Sequence, residues 1–389
     1  EKDISFVIYF TNISIRHRGQ IEEIIKKYLK KPLPKYIYEI KAGLILGVAQ
    51  IFFSEIPSYA SVDSTVNLFQ GKIIKWRSLA NAVLRKINEE RKSLEEIKND
   101  LNLSIPKWLY KDWENQYGEK SSKKLLDIFQ DEPGIDLRIK NKIDYWVEVL
   151  GGVKLGNNTV RIYTKGKIEN IKGYKDGSWW VQDIAAQLPV LLMGNIKSKK
   201  VLDLCAAPGG KTLEMLSKGA FVKAIEISKE RSEILLNNVK RVGLSKNLVV
   251  EVKDLVSFQA EPNYDIVLLD APCSGTGTFR KNPDVVWIKN KSNVNRSAKT
   301  QRKLLIKALS FVKRGGYLIY SNCSLQHEEG EYLINDLIRK KVIEIDEINE
   351  KEIDGYPKEI INKGLVRTLP YMYNGGMDGF FIARIKKVR

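Results

Sequence analysis

Apolar residues near the start of the chain recur at helical spacing. Ile21, Ile24, Ile25 and Leu29 share one face of a 3.6-residue period, and Ala42–Phe53 is apolar enough all round to predict a buried helix. Ile56-Pro57-Ser58 interrupts that run, and Ser61–Phe69 and Ser78–Ile87 predict further helices. Residues 88–103 are charged and lack a long apolar run, as suits a linker or a bridging helix. From Ile105-Pro106 to Glu132 the pattern predicts aromatic-rich helical segments carrying Trp108 and Trp113. Four short alternating runs follow, Leu137-Arg138-Ile139, Trp146–Leu150, Val160–Tyr163 and Trp179–Val181, separated by Gly, Asn and Lys clusters. They predict a small α+β module with antiparallel strands.

After residue 195 the pattern becomes strand–helix alternation. Val201–Cys205, Val222–Ile227, Leu248–Val252, Ile266–Leu269 and Tyr317–Tyr320 are short apolar strands, with helical stretches at 211–218, 229–242 and 298–313. Such alternation predicts an α/β, doubly wound parallel sheet whose ligand site lies at the carboxyl ends of its strands.

Composition narrows the function. Lys+Arg number 65 against 47 Asp+Glu, a net +18, which suits a polyanionic partner such as RNA or DNA and equally a generally lysine-rich proteome or a highly charged solvated surface. The longest apolar stretches, such as 43–53, fall short of the ~20 residues that span a bilayer, and no signal pattern is seen at the start. Only two histidines occur, His17 and His327, so a His-based zinc site and a Ser-His-Asp triad are both disfavoured. Three cysteines, Cys205, Cys273 and Cys323, form no close pair, which excludes a CxxC metal motif and a disulfide framework and points to a reducing cytoplasm.

All three cysteines sit at strand ends. The first strand runs into Asp203-Leu204-Cys205-Ala206-Ala207-Pro208-Gly209-Gly210-Lys211-Thr212 and then a helix. Small residues at such a turn let the backbone approach a ligand closely, and the spacing is not that of a P-loop. Glu226 near the end of the next strand is placed for ribose hydroxyls, and Asp254 follows the third. A glycine loop and two acids at successive strand ends suit an adenosine-bearing cofactor. The fourth strand ends Asp270-Ala271-Pro272-Cys273-Ser274-Gly275-Thr276-Gly277, and the fifth Tyr320-Ser321-Asn322-Cys323-Ser324. A lone cysteine is usually a small core residue. Two in matching strand-end positions point instead to a thiolate nucleophile for an electron-poor ring.

DLCAAPGGKT (203–212), DAPCSGTGTFRKNPDVVW (270–287), YSNCS (320–324) and DGFFIAR (378–384) resemble the RNA cytosine-5 methyltransferases, a family with bacterial ribosomal RNA enzymes and eukaryotic Sun-domain nucleolar proteins. That resemblance covers essentially all of 104–389. Lys41-Ala42-Gly43-Leu44 through Gln50, Ile56-Pro57, Val62–Val66 and Asn81-Ala82-Val83-Leu84-Arg85 look like the NusB-like helical RNA-binding domain, a pairing typical of the small-subunit ribosomal RNA enzymes.

The resemblance implies a Rossmann-like catalytic domain over 182–389, preceded by an all-α NusB-like domain (1–90), a linker (91–103) and a small RRM-like module (104–181). It implies S-adenosylmethionine as cofactor, with Cys205, Ala206, Ala207, Pro208, Gly209, Gly210 and Lys211 on its methionine and ribose side. Glu226 would meet the ribose, Asp254 the adenine amino group, and Arg231 either the same site or a surface salt bridge. Glu226 stands where Asp is commoner, which lengthens the reach. Cys323 would add to carbon 6 of cytosine, Asp270 would hydrogen-bond or protonate the ring at its third nitrogen, and Cys273 would assist release; Lys211 would contact Asp270 or the RNA. A cytoplasmic monomer with no metal and no membrane contact is expected, acting on ribosomal RNA. The same chemistry on transfer RNA, or an idle RNA-binding assembly factor on this scaffold, are the alternatives. Retention of both cysteines and Asp270 argues against the idle factor. DNA cytosine methylation is disfavoured, because that family carries its nucleophile after the fourth strand and no cysteine in the fifth.

Overall fold

The computed structural model describes residues 2–34, 36–164 and 166–387. It divides into two compact units, one of residues 1–131 with 286–288 and one of 132–285 with 289–389.

The first unit is helical: α1 (Lys2–Arg16), α2 (Arg18–Tyr28), α3 (Tyr38–Phe53), α4 (Ser58–Asn67), α5 (Arg77–Glu89), α6 (Glu95–Asn99) and α7 (Lys107–Gln130). Pro57 and Pro106 stand immediately before α4 and α7, where the fixed φ of proline suits a helix start. Ile21, Ile24, Leu44, Val48, Leu84 and Ile87 are wholly or almost wholly buried together, so the periodic faces seen in the sequence form one core. Leu94, inside the charged stretch 88–103, is buried in that core as well. The aromatic-rich helix α7 falls in this unit and buries Leu109, Trp113, Leu125 and Phe129.

The second unit opens with a four-stranded antiparallel sheet of β1 (Ile135–Ile139), β2 (Val153–Leu155), β3 (Thr159–Ile162) and β4 (Trp179–Val181), ordered β2-β3-β1-β4. With helix α8 (Ile143–Leu150) between β1 and β2, this is a split β-α-β layout. The run Trp146–Leu150 is therefore helical, not a strand. Ile143, Val147 and Leu150 pack with Trp146 against the sheet at spacings of three, four and seven, a helical stripe that begins before the alternating run.

The large sheet contains β5 (Lys200–Leu204), β6 (Phe221–Glu226), β7 (Leu248–Val252), β8 (Tyr264–Asp270), β9 (Val312–Asn322), β10 (Ile343–Ile345), β11 (Ile361–Asn362), β12 (Leu365–Thr368) and β13 (Phe380–Lys387). Its order is β11-β12-β13-β9-β8-β5-β6-β7, with β10 paired to β13. The strands from β9 to β7 are parallel, as the alternation predicts, whereas β10 to β13 add an antiparallel extension. Helices α9 (Ile184–Leu191), α10 (Gly210–Ser217) and α11 (Lys229–Val242) belong to this unit, the short α12 (Val285–Ile288) falls in the first unit but for Val285, and α13 (Lys291–Leu309) and α14 (Glu331–Arg339) complete the second. Helix α13 starts well before the expected 298 because Asn290 and Asn293 form a reciprocal capping box. The strand order reverses between β5 and β8, so the crevice of this sheet opens beyond the ends of those two strands.

Candidate active site

A cavity of about 170 Å³ lies at that reversal, lined by residues 205–211, Asp203 and Asp270 together with Val181, Gln182 and Ala186. Two left-handed residues shape the loop around it, Cys205 at φ +62° and Gly209 at φ +103°. A side chain at Gly209 would be strained, and its Cβ would press on Leu235 at 3.1 Å. The loop is also pinned from the next strand. The buried Glu226 carboxylate accepts hydrogen bonds from the amides of Ala207 (3.2 Å), Ile227 (3.0 Å) and Ser228 (3.2 Å). Arg231 stands 3.5 Å from the same carboxylate and donates to the Ala207 carbonyl at 2.5 Å.

Buried acid shapes the field in the cavity. Burial pushes the Asp203 carboxyl up to about 7, against the 2.6 Å hydrogen bond it accepts from Thr212, and the charges of Asp270 and Glu226 push the same way. Burial also lifts the Cys205 thiol to about 12, helped by Asp270, Glu226 and Asp203. Cys205 thus keeps its proton and is no nucleophile. Asp254 is exposed, caps its own turn through Val256 N at 3.0 Å, and does not line this cavity.

Lys211, in the first turn of α10, places its ammonium 2.7 Å from Asp270 Oδ2. Burial alone would lower the Lys211 pKa, but the charge and hydrogen bond of Asp270 outweigh it and the group is raised. Ser321 donates to the other Asp270 oxygen at 2.8 Å. One carboxylate is therefore held from two directions at the end of β8.

The two remaining cysteines meet beside it. Cys273 and Cys323, both half-buried, bring their Sγ atoms to 3.4 Å. The hydrogen bond to Cys323 raises Cys273 well above the usual thiol range, with burial and the negative charges of Cys323 and Glu329 adding to it. Cys273 holds its proton, and either sulfur can be the donor in this contact. The Gly277 amide donates to the Cys323 carbonyl at 2.8 Å, and only glycine fits there, since a Cβ would lie 2.1 Å from Gly379 O.

Behind the pair sits Glu329, fully buried. Its Oε1 accepts from the Ser274 amide at 2.8 Å and from Gln301 at 3.0 Å. Its Oε2 accepts from the hydroxyls of Ser274 and Ser324, the latter at 2.5 Å. Ser274 follows Cys273 and Ser324 follows Cys323, so one carboxylate ties together the two loops that carry the thiols. Gln301 also donates to the Pro272 carbonyl at 2.9 Å.

The structure thus gathers Cys205–Lys211 and Asp270 around one cavity, links Glu226 and Arg231 to its loop, pairs Cys273 with Cys323, and leaves Asp254 outside the lining. Sequence reasoning missed Glu329, Gln301, Asp203 and the Val181–Gln182 wall. The Glu328-Glu329 pair just after the Cys323 motif is the one signal that could have drawn attention to Glu329.

A parallel sheet with its crevice at the strand reversal, a small-residue loop and buried acids beside it defines a Rossmann-like methyltransferase domain. Residues 190–386 match the family described as 16S rRNA methyltransferase RsmB/F, and the chain belongs to that family. Residues 1–89 match the NusB family. The "Ribosomal RNA small subunit methyltransferase B" of Escherichia coli (strain K12) is 28% identical over 394 residues, covering 96% of this chain and 88% of that protein. The protein of that name from Sodalis glossinidius (strain morsitans) is 28% identical over 330 residues, covering 80% of this chain and 75% of its own. In fold, the chain is similar to the crystal structure of PH0851, with a TM-score of 0.77 and 23% identity over 98% of this chain and 90% of that one. It is also similar to NSun6 from Pyrococcus horikoshii with SFG, with a TM-score of 0.61 and 19% identity over 73% of this chain and 98% of that one. Among the described residues, no helix is long and apolar enough to cross a membrane.

Proposed function

We propose that this chain transfers a methyl group from S-adenosylmethionine to carbon 5 of a cytosine in small-subunit ribosomal RNA, through a covalent bond to Cys323. The observation that carries the reading is the 3.4 Å approach of Cys273 and Cys323 from the ends of neighbouring strands, beside the Lys211–Asp270 pair.

Carbon 5 of cytosine is a poor nucleophile until another atom adds at carbon 6. The Cys323 thiolate adds there, and the ring becomes an enamine nucleophilic at carbon 5. Asp270, in its protonated form, hydrogen-bonds or gives its proton to the third ring nitrogen, and Lys211 pairs with the carboxylate that this leaves. S-adenosylmethionine is the cofactor and supplies an electrophilic methyl group. Residues 205–211 and Glu226 fit such a group, with a backbone loop that admits close approach and a buried acid behind it; Arg231 braces the loop, and Asp254 is assigned to the adenine end. Once Cys323 is a thioether it is no longer an anionic acceptor. The hydrogen bond and charge that held the Cys273 proton are then gone, so Cys273 releases that proton to solvent. As a thiolate it takes the carbon-5 proton, the C5–H electron pair re-forms the C5–C6 double bond, and the C6–S bond breaks to return Cys323 as a thiolate.

The helical region 1–90 is assigned to RNA binding and 182–389 to catalysis, in a cytoplasmic monomer. Of the stretch 104–181, the antiparallel sheet from β1 to β4 is assigned to an RRM-like module, while α7 and Leu94 of the stretch 91–103 pack in the helical unit. The target base must leave its stack, at a cost of a few kcal/mol, which Lys and Arg contacts to phosphates offset. The test is incubation with methyl-labelled S-adenosylmethionine and transcribed, protein-free small-subunit ribosomal RNA, followed by nucleoside analysis. Label in 5-methylcytidine is expected. Label in N4-methylcytidine or on a ribose oxygen contradicts the proposal.

A further inference from the structure

Helix α13 joins the two cysteine loops in the chain, and its charge is unlike that of any other helix. Its 19 residues hold six basic side chains, Lys291, Arg296, Lys299, Arg302, Lys303 and Lys307, and no acid. Every other described helix of eight or more residues that carries a basic residue also carries an acidic one. Lys291 and Arg302 are paired to Glu328 and Asp336. Arg296, Lys299 and Lys303 are exposed and have no acidic partner among the described residues. Spacings of three, four and seven put these three on one face, across about 10 Å of helix axis.

The opposite face carries the buried Gln301, which holds the Pro272 carbonyl beside Cys273 and the Glu329 carboxylate that ties both cysteine loops. One helix thus turns unpaired positive charge outward while its inner face braces the thiols. A solvated lysine face needs no partner, but a basic stripe rigidly tied to a nucleophile places any bound polyanion in fixed register with that nucleophile.

We infer that Arg296, Lys299 and Lys303 form a docking surface for the phosphate backbone of the substrate RNA next to the target cytosine. The inference rests on the cytosine-methylating reading above. Arg296→Glu, Lys299→Glu and Lys303→Glu together, in the full chain, are expected to raise KM for transcribed small-subunit ribosomal RNA at least tenfold at moderate salt. The slope of log affinity against log salt should become shallower by about two to three, roughly 0.7–0.9 per phosphate contact. Melting temperature and S-adenosylmethionine affinity should hold. The triple Gln variant reports the same change in smaller measure if the Glu variant folds poorly. An unchanged KM and salt slope, in a wild type that does form 5-methylcytidine, overturns the docking surface. So does a loss of rate at saturating RNA with the slope unchanged, which would mean that the helix acts only through Gln301. If the wild type forms no 5-methylcytidine, the chemistry fails, yet the salt slope of RNA binding still decides whether the surface binds.

Discussion

Lys211 Nζ lies 2.7 Å from Asp270 Oδ2, joining the start of α10 to the end of β8 across the crevice. The pair is largely shielded, with the lysine side chain 11% exposed, so removal of one partner leaves a poorly solvated charge. Because Lys211 is raised, it stays an ammonium through neutral pH and does not contribute a limb to the pH–rate profile.

Lys211→Met is therefore expected to slow single-turnover methyl transfer by about 10²–10³-fold, the usual effect of losing one donor aimed at developing charge. A slowing of less than about tenfold at saturating cofactor would show that the Lys211 charge is not used in the reaction.

Glu329 gives a second expectation, in two variants. Glu329→Ala orphans the Ser274 amide and Gln301, at about 1–3 kcal/mol per buried group, and frees the two cysteine loops from each other. Melting temperature and methyl transfer should both fall. Glu329→Gln should retain most of each, because the serine hydroxyls can rotate to accept from the new amide. Thermal melting and initial rates measure this, and equal damage by both variants would count against hydrogen bonding as the reason.

In the helical unit, burial, with help from Arg16 and Lys98, lowers His17 to about 4. Its ring stacks on Phe53 at 3.8 Å, and Nδ1 is buried without a hydrogen bond. The unfolded chain takes up a proton near 6.5 that the folded chain refuses, so stability from His17 is present above 6.5 and is lost as pH falls toward 4. With only two histidines in the chain, NMR resolves the titration directly. A His17 midpoint near 6.5 would contradict its burial.

Asp203 has the opposite sign. Its folded value of about 7 lies above the unfolded 3.8, so its contribution is full below 3.8 and disappears as pH rises through 7. Asp203→Asn should gain melting temperature over the wild type progressively between pH 4 and 7 and hold that gain above. A difference independent of pH would mean that Asp203 is ionised throughout.

The parallel strands are legible in the sequence because buried strands read as short apolar runs, and both cysteines are legible because each stands just beyond the end of such a run. Helix α8 is misread at Trp146–Leu150 because five residues fit either period; Ile143, outside that window, decides it. Strand β13 escapes because its antiparallel pairing with β9 is long-range, and β10, β11 and β12 escape with it because they build on β13 and not on a parallel strand, although residues 380–384 of DGFFIAR open β13. Glu329 and Gln301 escape for the same reason, since a buried acid reveals its partners only in three dimensions.

The most direct measurement is a denaturing gel of the two single cysteine variants after incubation with RNA and S-adenosylmethionine. Cys273→Ala can add and accept methyl but cannot complete release, so it should remain bonded to methylated RNA as a retarded band. Cys323→Ala should form neither band nor product, and the double variant should lose the band. A retarded band from Cys323→Ala instead would contradict the account, because it would make Cys273 the nucleophile.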